Sequence, residues 1–407
     1  MATVAGTGAA LAAKGALGFF EGQETLKVGL IGCGGRGSGA ARDSFESAPG
    51  MVLWSMGDVF PDRIESAKNG LKDALGKSFQ VTDDRTFTGF DAYKAVIASG
   101  VNIVILTTPP GFRPIHLAAA VDAGKHVFME KPVAVDAPGV RSVMASGEKA
   151  NEKGLCIVAG TQRRDDVAYM DCIKRIHDGQ IGEVTAMYCY WNQGGLWMHP
   201  RQEKWSDVEW QLRNWLYFTA LSGDHICEQH IHNIDVCNWV QQAHPVKAMG
   251  VGGRQVRTNA AYGHIFDHFA IEFEYENGVK LLSMCRQIDG TVGRVNEHVV
   301  GTRGSSNCAT SIKGASGWRW EGDRPNPYVQ EHKRLVAAIR SGNKVNDAKR
   351  VAESTMSAIM GRMAAYSGLE VEWDEAMKSE ISLLGDLHEF GPMEVPEVPM
   401  PGTTKAW

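Results

Sequence analysis

The stretch Lys27-Val-Gly-Leu-Ile-Gly-Cys-Gly-Gly-Arg-Gly37 decides the fold. Its first half is a short apolar run, the pattern of a strand buried on both faces. Its second half spaces Gly32, Gly34 and Gly37 as G-x-G-x-x-G, with Gly35 and Arg36 inside the loop. Residues 37–43 then have the composition of a helix start. In a chain with 46 glycines the spacing alone is weak, and the strand before it and helix after it supply the context. Gly32 permits a tight turn, Gly34 lets a pyrophosphate approach the backbone, and Gly37 lets the helix pack on the strand. Free N–H groups at the helix N-terminus favour an anion there. Asp58 lies 21 residues past Gly37, after the apolar run Met51 to Met56. A carboxylate in that place accepts hydrogen bonds from ribose hydroxyls and repels a 2′-phosphate, so the pattern implies NAD over NADP.

Outward from this loop the alternation continues. A helix is expected over 62–75 and a strand over 101–106, closed by Thr107-Thr-Pro-Pro110. A helix over 114–123, a strand over 125–129, the turn Glu130-Lys-Pro132 and a helix over 139–153 follow. Apolar strands alternating with helices describe a parallel sheet covered on both faces, a Rossmann domain over 24–153. Beyond Ala159 the strands lengthen and alternate: 183–191, 246–256, 266–275 and 279–288. That pattern predicts a second, α+β domain over 154–388 with a large, mainly antiparallel open sheet. Asn277-Gly278 is a strong hairpin signal between its last two strands. Helices are expected over 327–341 and 347–367. The tail, 389–407, carries Pro392, Pro396, Pro399 and Pro401 and should run extended along a surface or a neighbouring subunit.

Composition excludes several classes. The 407 residues carry a net charge of −5, which argues against a nucleic-acid surface. No apolar run reaches the roughly 20 residues that span a bilayer, so no membrane partner is expected. Cys33, Cys156, Cys172, Cys189, Cys227, Cys237, Cys285 and Cys308 are scattered without paired spacing, against a disulfide framework or structural zinc. Residues 1–23, rich in Ala and Gly, resemble the apolar and cleavage regions of an export signal, yet no charged leader or twin-arginine pair precedes them. Unpaired cysteines lean toward the cytoplasm, and both locations stay open.

The loop, the Thr107-Thr108-Pro109 strand end, His116 on the next helix and Glu130-Lys131-Pro132 stand in the order of one family. From about Lys27 to about Asp374 the chain resembles the glucose–fructose oxidoreductase/inositol dehydrogenase (Gfo/Idh/MocA) oxidoreductases. The resemblance implies an NAD(P)-dependent enzyme of sugars, inositols and related polyols, with NAD held tightly in some relatives. It also implies a second domain whose sheet joins subunits into a homo-oligomer, a dimer or tetramer. It assigns Thr107, Thr108, Pro109, His116, Glu130 and Lys131 to the cofactor side and gives Lys131 a catalytic role, often beside a cis Lys–Pro bond. From the residues alone, a lysine just beyond a strand's C-terminal end faces the crevice where such sheets bind ligands.

A second signature is Gly223-Asp-His-Ile-Cys-Glu-Gln-His-Ile-His-Asn-Ile-Asp235. Read as one helix, it places His225, Glu228, His232 and Asp235 on a single stripe, with His230 elsewhere. The family has an Asp four residues before a catalytic His and an Asp three after it, positions held here by Glu228, His232 and Asp235. An imidazole can take a hydroxyl proton near neutral pH, and a carboxylate one turn away can fix its tautomer. Two departures stand out: Glu228 replaces the family's Asp, and Gln229-His230 replaces an apolar residue and Gly. Three histidines and a glutamate invite a metal, but H-x-x-E-x-H-x-H is not an established ligand spacing, and the reading is no metal. A buried helix with hydrogen-bonded histidines is the plainest alternative.

Gln162, Arg163 and Arg164 follow a strand end where the family contacts substrate. Tyr190, Asn192, Trp197, Arg213 and His225 add rings and hydrogen-bonding groups suited to a carbohydrate or glycoside. Three functions compete. The first is a dehydrogenase acting on a ring hydroxyl, by analogy C3, through Lys131 and His232. The second is a redox-neutral glycosidase working by transient oxidation, elimination, hydration and re-reduction. The third is a non-catalytic NAD-bound sensor or scaffold, against which Lys131 and His232 argue.

Overall fold

The computed structural model describes residues 25–406, so the expected extension over 1–23 lies outside the described residues. Strands β1 (Leu26–Ile31), β2 (Met51–Asp58), β3 (Thr86–Thr88), β4 (Ile103–Leu106), β5 (His126–Met129) and β6 (Ile157–Ala159) form the first sheet. They alternate with helices α1 (Gly35–Ser47), α2 (Pro61–Leu75), α3 (Ala92–Ala98), α4 (Arg113–Asp122) and α5 (Ala137–Glu152). The sheet is parallel throughout, in the order β3-β2-β1-β4-β5-β6. That order reverses beside β1, and the glycine turn opens at this switch point, where parallel sheets bind ligands. Every residue of β4 is buried, as helices on both faces require. The last strand pairs Val127 with Ile157 and so carries this sheet beyond the expected boundary at 153.

The second domain begins with α6 (Val167–His177) and β7 (Val184–Gln193), followed by α7 (Asp207–Arg213), α8 (Thr219–Ser222), α9 (His225–Glu228) and α10 (Ile231–Gln241). Strands β8 (Lys247–Gly253), β9 (His268–Glu274), β10 (Lys280–Gln287), β11 (Arg294–Gly301), β12 (Gly304–Ser306), β13 (Ser311–Gly314) and β14 (Trp318–Arg319) come next. Helices α11 (Pro327–Ser341) and α12 (Ala348–Ser367), strand β15 (Val371–Glu372) and helix α13 (Trp373–Lys378) complete it. The nine strands run β14-β13-β12-β11-β7-β10-β9-β8-β15, and only the β7–β10 pair is parallel. The expected hairpin joins β9 to β10, with Gly278 at φ 80. One face of the sheet packs on α12. The other leaves Met249 and Val251 53% and 70% exposed. No described helix is long and apolar enough to cross a membrane.

Helix α11 leaves its own domain and packs on α1, where Leu335 and Val336 enter the core of the first sheet. Its Arg334 bridges Asp165, at 2.7 and 2.9 Å, and Asp347, at 2.7 and 3.3 Å. Both carboxylates are more than 90% buried. Removing the cation strands the buried Asp165 and leaves Asp347 to Arg350 at 3.1 Å, a change that costs several kcal/mol where no water reaches the carboxylate. We expect Arg334→Met to lower stability by about 3 kcal/mol, read as a fall in the urea midpoint. A midpoint equal to wild type would show that water replaces the guanidinium.

Candidate active site

Glycine geometry builds the first half of the site. Gly32 adopts φ 95, and a Cβ on Gly37 would sit 1.9 Å from the Gly32 carbonyl, so strand and helix approach too closely for any side chain. A Cβ on Gly34 or Gly35 would meet nothing within 4 Å, because both face open space. Helix α1 starts at Gly35 with no side-chain cap and no acidic residue in its first turn. Its leading N–H groups therefore suit an anionic ligand. The cavity above them, about 440 Å³, is lined by the glycine loop, Asp58, Thr107, Thr108, Pro109 and His116. Asp58 is held by the main-chain N–H groups of Cys33, at 2.6 Å, and Phe60, at 2.9 Å. Thr107 donates to the Gly32 carbonyl at 2.6 Å. His116 accepts or shares a proton with Thr108 at 3.1 Å, and burial depresses its pKa to about 3, so it is a neutral wall of the groove.

The second half lies beyond β5. Lys131 precedes a cis proline, and its Nζ donates to the main-chain oxygen of Glu228 at 2.5 Å, with Glu228 Oε1 at 3.3 Å. The buried ring of His232 stacks on Trp191 at 5.8 Å. Burial, reinforced by Lys131, Arg163 and Arg36, holds its pKa well below 6.5. His232 is therefore a neutral base at neutral pH. Arg163 pairs with the buried carboxylate of Glu297, and Gln162 donates to the Tyr328 hydroxyl at 3.0 Å. His232 Nδ1, Glu228 Oε2 and Gln162 Oε1 are buried without a protein partner. Buried polar atoms are nearly always satisfied, so these three are the ones a polar ligand would complete.

The profile of the Gfo/Idh/MocA oxidoreductases, with an NAD-binding Rossmann fold, matches residues 26–160, and that of their C-terminal domain matches residues 169–307. This chain belongs to the Gfo/Idh/MocA family. It is 26% identical over 214 residues to a scyllo-inositol 2-dehydrogenase (NADP(+)) of Bacillus subtilis, a match covering 51% of this chain and 52% of that one. It is 28% identical over 262 residues to an inositol 2-dehydrogenase of Burkholderia cenocepacia, covering 63% and 66%. The matches thus span between half and two thirds of these relatives. The solved scyllo-inositol dehydrogenase of Lactobacillus casei, with NAD(H) and scyllo-inositol, superposes with a TM-score of 0.65 at 19% identity, over 86% of this chain and 100% of that one.

Within this Gfo/Idh/MocA frame several expected site residues take other places. The segment 223–235 is not one helix but α9 and α10, broken at Gln229-His230, and the expected stripe comes apart. His225 turns to Asp224, with Nδ1 2.9 Å from its carboxylate, and packs on Phe269. His230 contacts Ser283 at 2.7 Å. Asp235 does not orient His232: it is engaged by Arg164 at 2.8 and 3.0 Å and by Ser354 at 2.8 Å. Arg164 thus makes an internal ion pair with Asp235. Tyr190 and Asn192 lie on the opposite face of β7 from Trp191, since neighbours in a strand alternate, and Tyr190 meets Arg294 instead. Trp197 and Arg213 line the cofactor cavity, where Arg213 pairs with Asp62 at 3.0 Å.

Glu331 on α11 carries no motif or spacing that marks it in the sequence. It is fully buried 3.6 Å from Arg36, whose Nε donates to Glu130. Burial, then the neighbouring Glu130, push its carboxyl well above the usual range, against the pull of Arg36. A folded-state pKa above the unfolded value favours folding fully below the unfolded value of 4.5, and the advantage is lost as pH rises through the folded value. Glu331→Gln should therefore raise the melting temperature more at about pH 9 than at about pH 5. A pH-independent change would refute the assignment.

Proposed function

We propose that the protein is an NAD-dependent oxidoreductase that removes hydrogen from a ring hydroxyl of a cyclic polyol, an inositol or a pyranose. One observation carries the reading: a neutral, unpartnered imidazole, His232, lies with Lys131 beyond the C-terminal edge of the Rossmann sheet, past the glycine groove. The groove fits the cofactor in its open glycines, its uncapped helix and its ribose-facing Asp58. When bound, NAD supplies the two-electron acceptor. The protein's own part is proton management. The His232 imidazole takes the hydroxyl proton, a transfer that contributes about 10²- to 10⁴-fold when positioned. The Lys131 ammonium donates to the same oxygen after exchanging its contact with Glu228 for the substrate. Arg163 and Gln162 hold the ring against Trp191, whose face suits the apolar side of a sugar or inositol. The inositol activity of the relatives and the ring-facing Trp191 support this substrate class, and C3 of a hexose is the position we assign in a pyranose.

Incubation with inositols, aldoses and glycosides, following nicotinamide absorbance and free-sugar release together, tests the reading. We expect net NAD reduction, with His232→Ala lowering kcat/KM by about 10²- to 10⁴-fold. The acid limb of kcat/KM should fall below pH 6.5, because the imidazole resists protonation. Aglycone release without net reduction would favour the redox-neutral glycosidase. Full activity in His232→Ala would overturn the assignment, and no turnover on any ring would favour a sensor.

We further propose that the exposed face of the second sheet joins two copies of the chain. Met249 and Val251 stand two residues apart on the same outward face of strand β8, beside Ala270 of β9, and exposed apolar residues grouped in this way mark interfaces. Val251→Glu should convert a dimer or tetramer to a smaller species in light scattering. A wild-type monomer would refute the interface.

A further inference from the structure

The cofactor cavity has a roof that the Rossmann domain does not supply. Trp197, His199, Leu212, Arg213 and Trp215 of the second domain line it opposite Asp58 and Phe60. The roof is the segment from Leu196 to Phe218 that includes α7. With Phe60, it forms a third apolar cluster, separate from the cores of the two sheets. The C-terminal tail joins that cluster through Leu384, Leu387 and Met393.

The tail is anchored on both sides of the groove. On the Rossmann side, Leu383 N–H donates to Asp136 at 2.8 Å, and Arg141 donates to the carbonyls of Met377 and Ser379 at 2.6 and 2.8 Å. On the roof side, Val208 N–H donates to the Gly391 carbonyl at 3.2 Å, and Gln211 donates to that of Met393 at 2.9 Å. Met393 N–H returns a bond to Asp207 at 3.2 Å. Between these anchors Phe390 rests on two aromatic residues of the cavity wall, Phe60 at 5.9 Å and Phe90 at 5.1 Å. Phe60 follows Asp58 by two residues, so the covered end is the one that would receive the adenosine ribose.

We infer that residues 379–393 are a latch that retains the dinucleotide by its adenosine end, with Phe390 as its bolt. The anchors bond the tail to the Rossmann domain and to the roof at once, so the roof cannot lift without breaking them. Neither the latch nor Phe390 touches Lys131 or His232, and the effect falls on cofactor release rather than on proton transfer. This inference rests on reading the groove as an NAD site.

The test uses the full chain loaded with labelled NAD and chased with excess unlabelled NAD. Phe390→Ala should release label about tenfold faster than wild type, since affinity changes of this kind fall mainly on the off-rate. A chain ending at His388, which keeps Leu384 and Leu387, should release it at least as fast. ADP-ribose affinity should fall in both variants, and nicotinamide mononucleotide affinity should stay at the wild-type value, a split that general destabilisation would not produce. Melting curves check that each variant is folded, and if the truncation disturbs the fold, full-length Phe390→Leu, which keeps the apolar contact, should release label as slowly as wild type while Phe390→Ala does not. Equal release rates in wild type and Phe390→Ala, with NAD bound by both, would overturn the latch and leave the groove standing. Failure of wild type to bind NAD would overturn both.

Discussion

The carbonyl oxygen of Gly32 is the point on which the arrangement turns. Thr107 donates to it from the end of β4, and Gly37 passes above it too closely to tolerate a Cβ. Three consecutive requirements follow. Helix α1 must begin immediately, its first N–H groups must face outward without a cap, and the ends of β1 and β4 must lie side by side. The cofactor groove is the space this closure leaves. A hydroxyl at 107 and a glycine at 37 therefore do more than fill a motif: each removes an alternative path for the chain at the switch point.

Much of this was legible in the sequence because it is local. Buried parallel strands read as apolar runs, and the helix over 327–341 has both bounds as expected from its pattern. The site was legible only where position along a strand fixed direction, as with Asp58 and Lys131. It was not legible where a tertiary contact overrode helical propensity. Between Glu228 and Ile231 the chain gives up helix continuity, and the Glu228 carbonyl accepts instead from Lys131, 97 residues away in sequence. Parity was a second blind spot. In the run Tyr190-Trp191-Asn192, Trp191 faces His232 while Tyr190 and Asn192 face the other side of the sheet, and the sequence does not say which side is which. The place of Trp197 and Arg213 over the groove was not legible for a third reason: an insertion's composition says what it can bind and nothing about which domain it overlies.

Charge in the interior follows a consistent division of labour. Asp165, Asp235 and Asp347 are each met by arginines, and these pairs fasten the two domains and the helices between them. Arg164 and Asp235, beside the expected catalytic motif, are paired with each other. The groups left over differ in kind. His232 and Glu331 are buried, each is pushed toward its neutral form by desolvation, and each sits near Arg36 or Lys131. A neutral imidazole amid cations is costly to protonate, which keeps it available as a base.

The two halves of the site are built by different rules, and that difference explains where this chain departs from its family. The cofactor side depends on backbone approach, which only glycine allows, so its motif survives intact from Gly32 to Gly37. The substrate side depends on side-chain reach. Glu228 satisfies Lys131 first through its carbonyl and only secondarily through its carboxylate, so a longer side chain in place of Asp leaves the lysine's anchor unchanged. The second carboxylate oxygen is buried without a partner in the protein. His230 takes up the volume of the family's glycine by turning to Ser283, away from His232, and Gln229 is held by Gln287 at 2.6 Å. The substitutions therefore leave Lys131 on the Glu228 carbonyl and His230 turned to Ser283, and they act on the shape of the surrounding pocket.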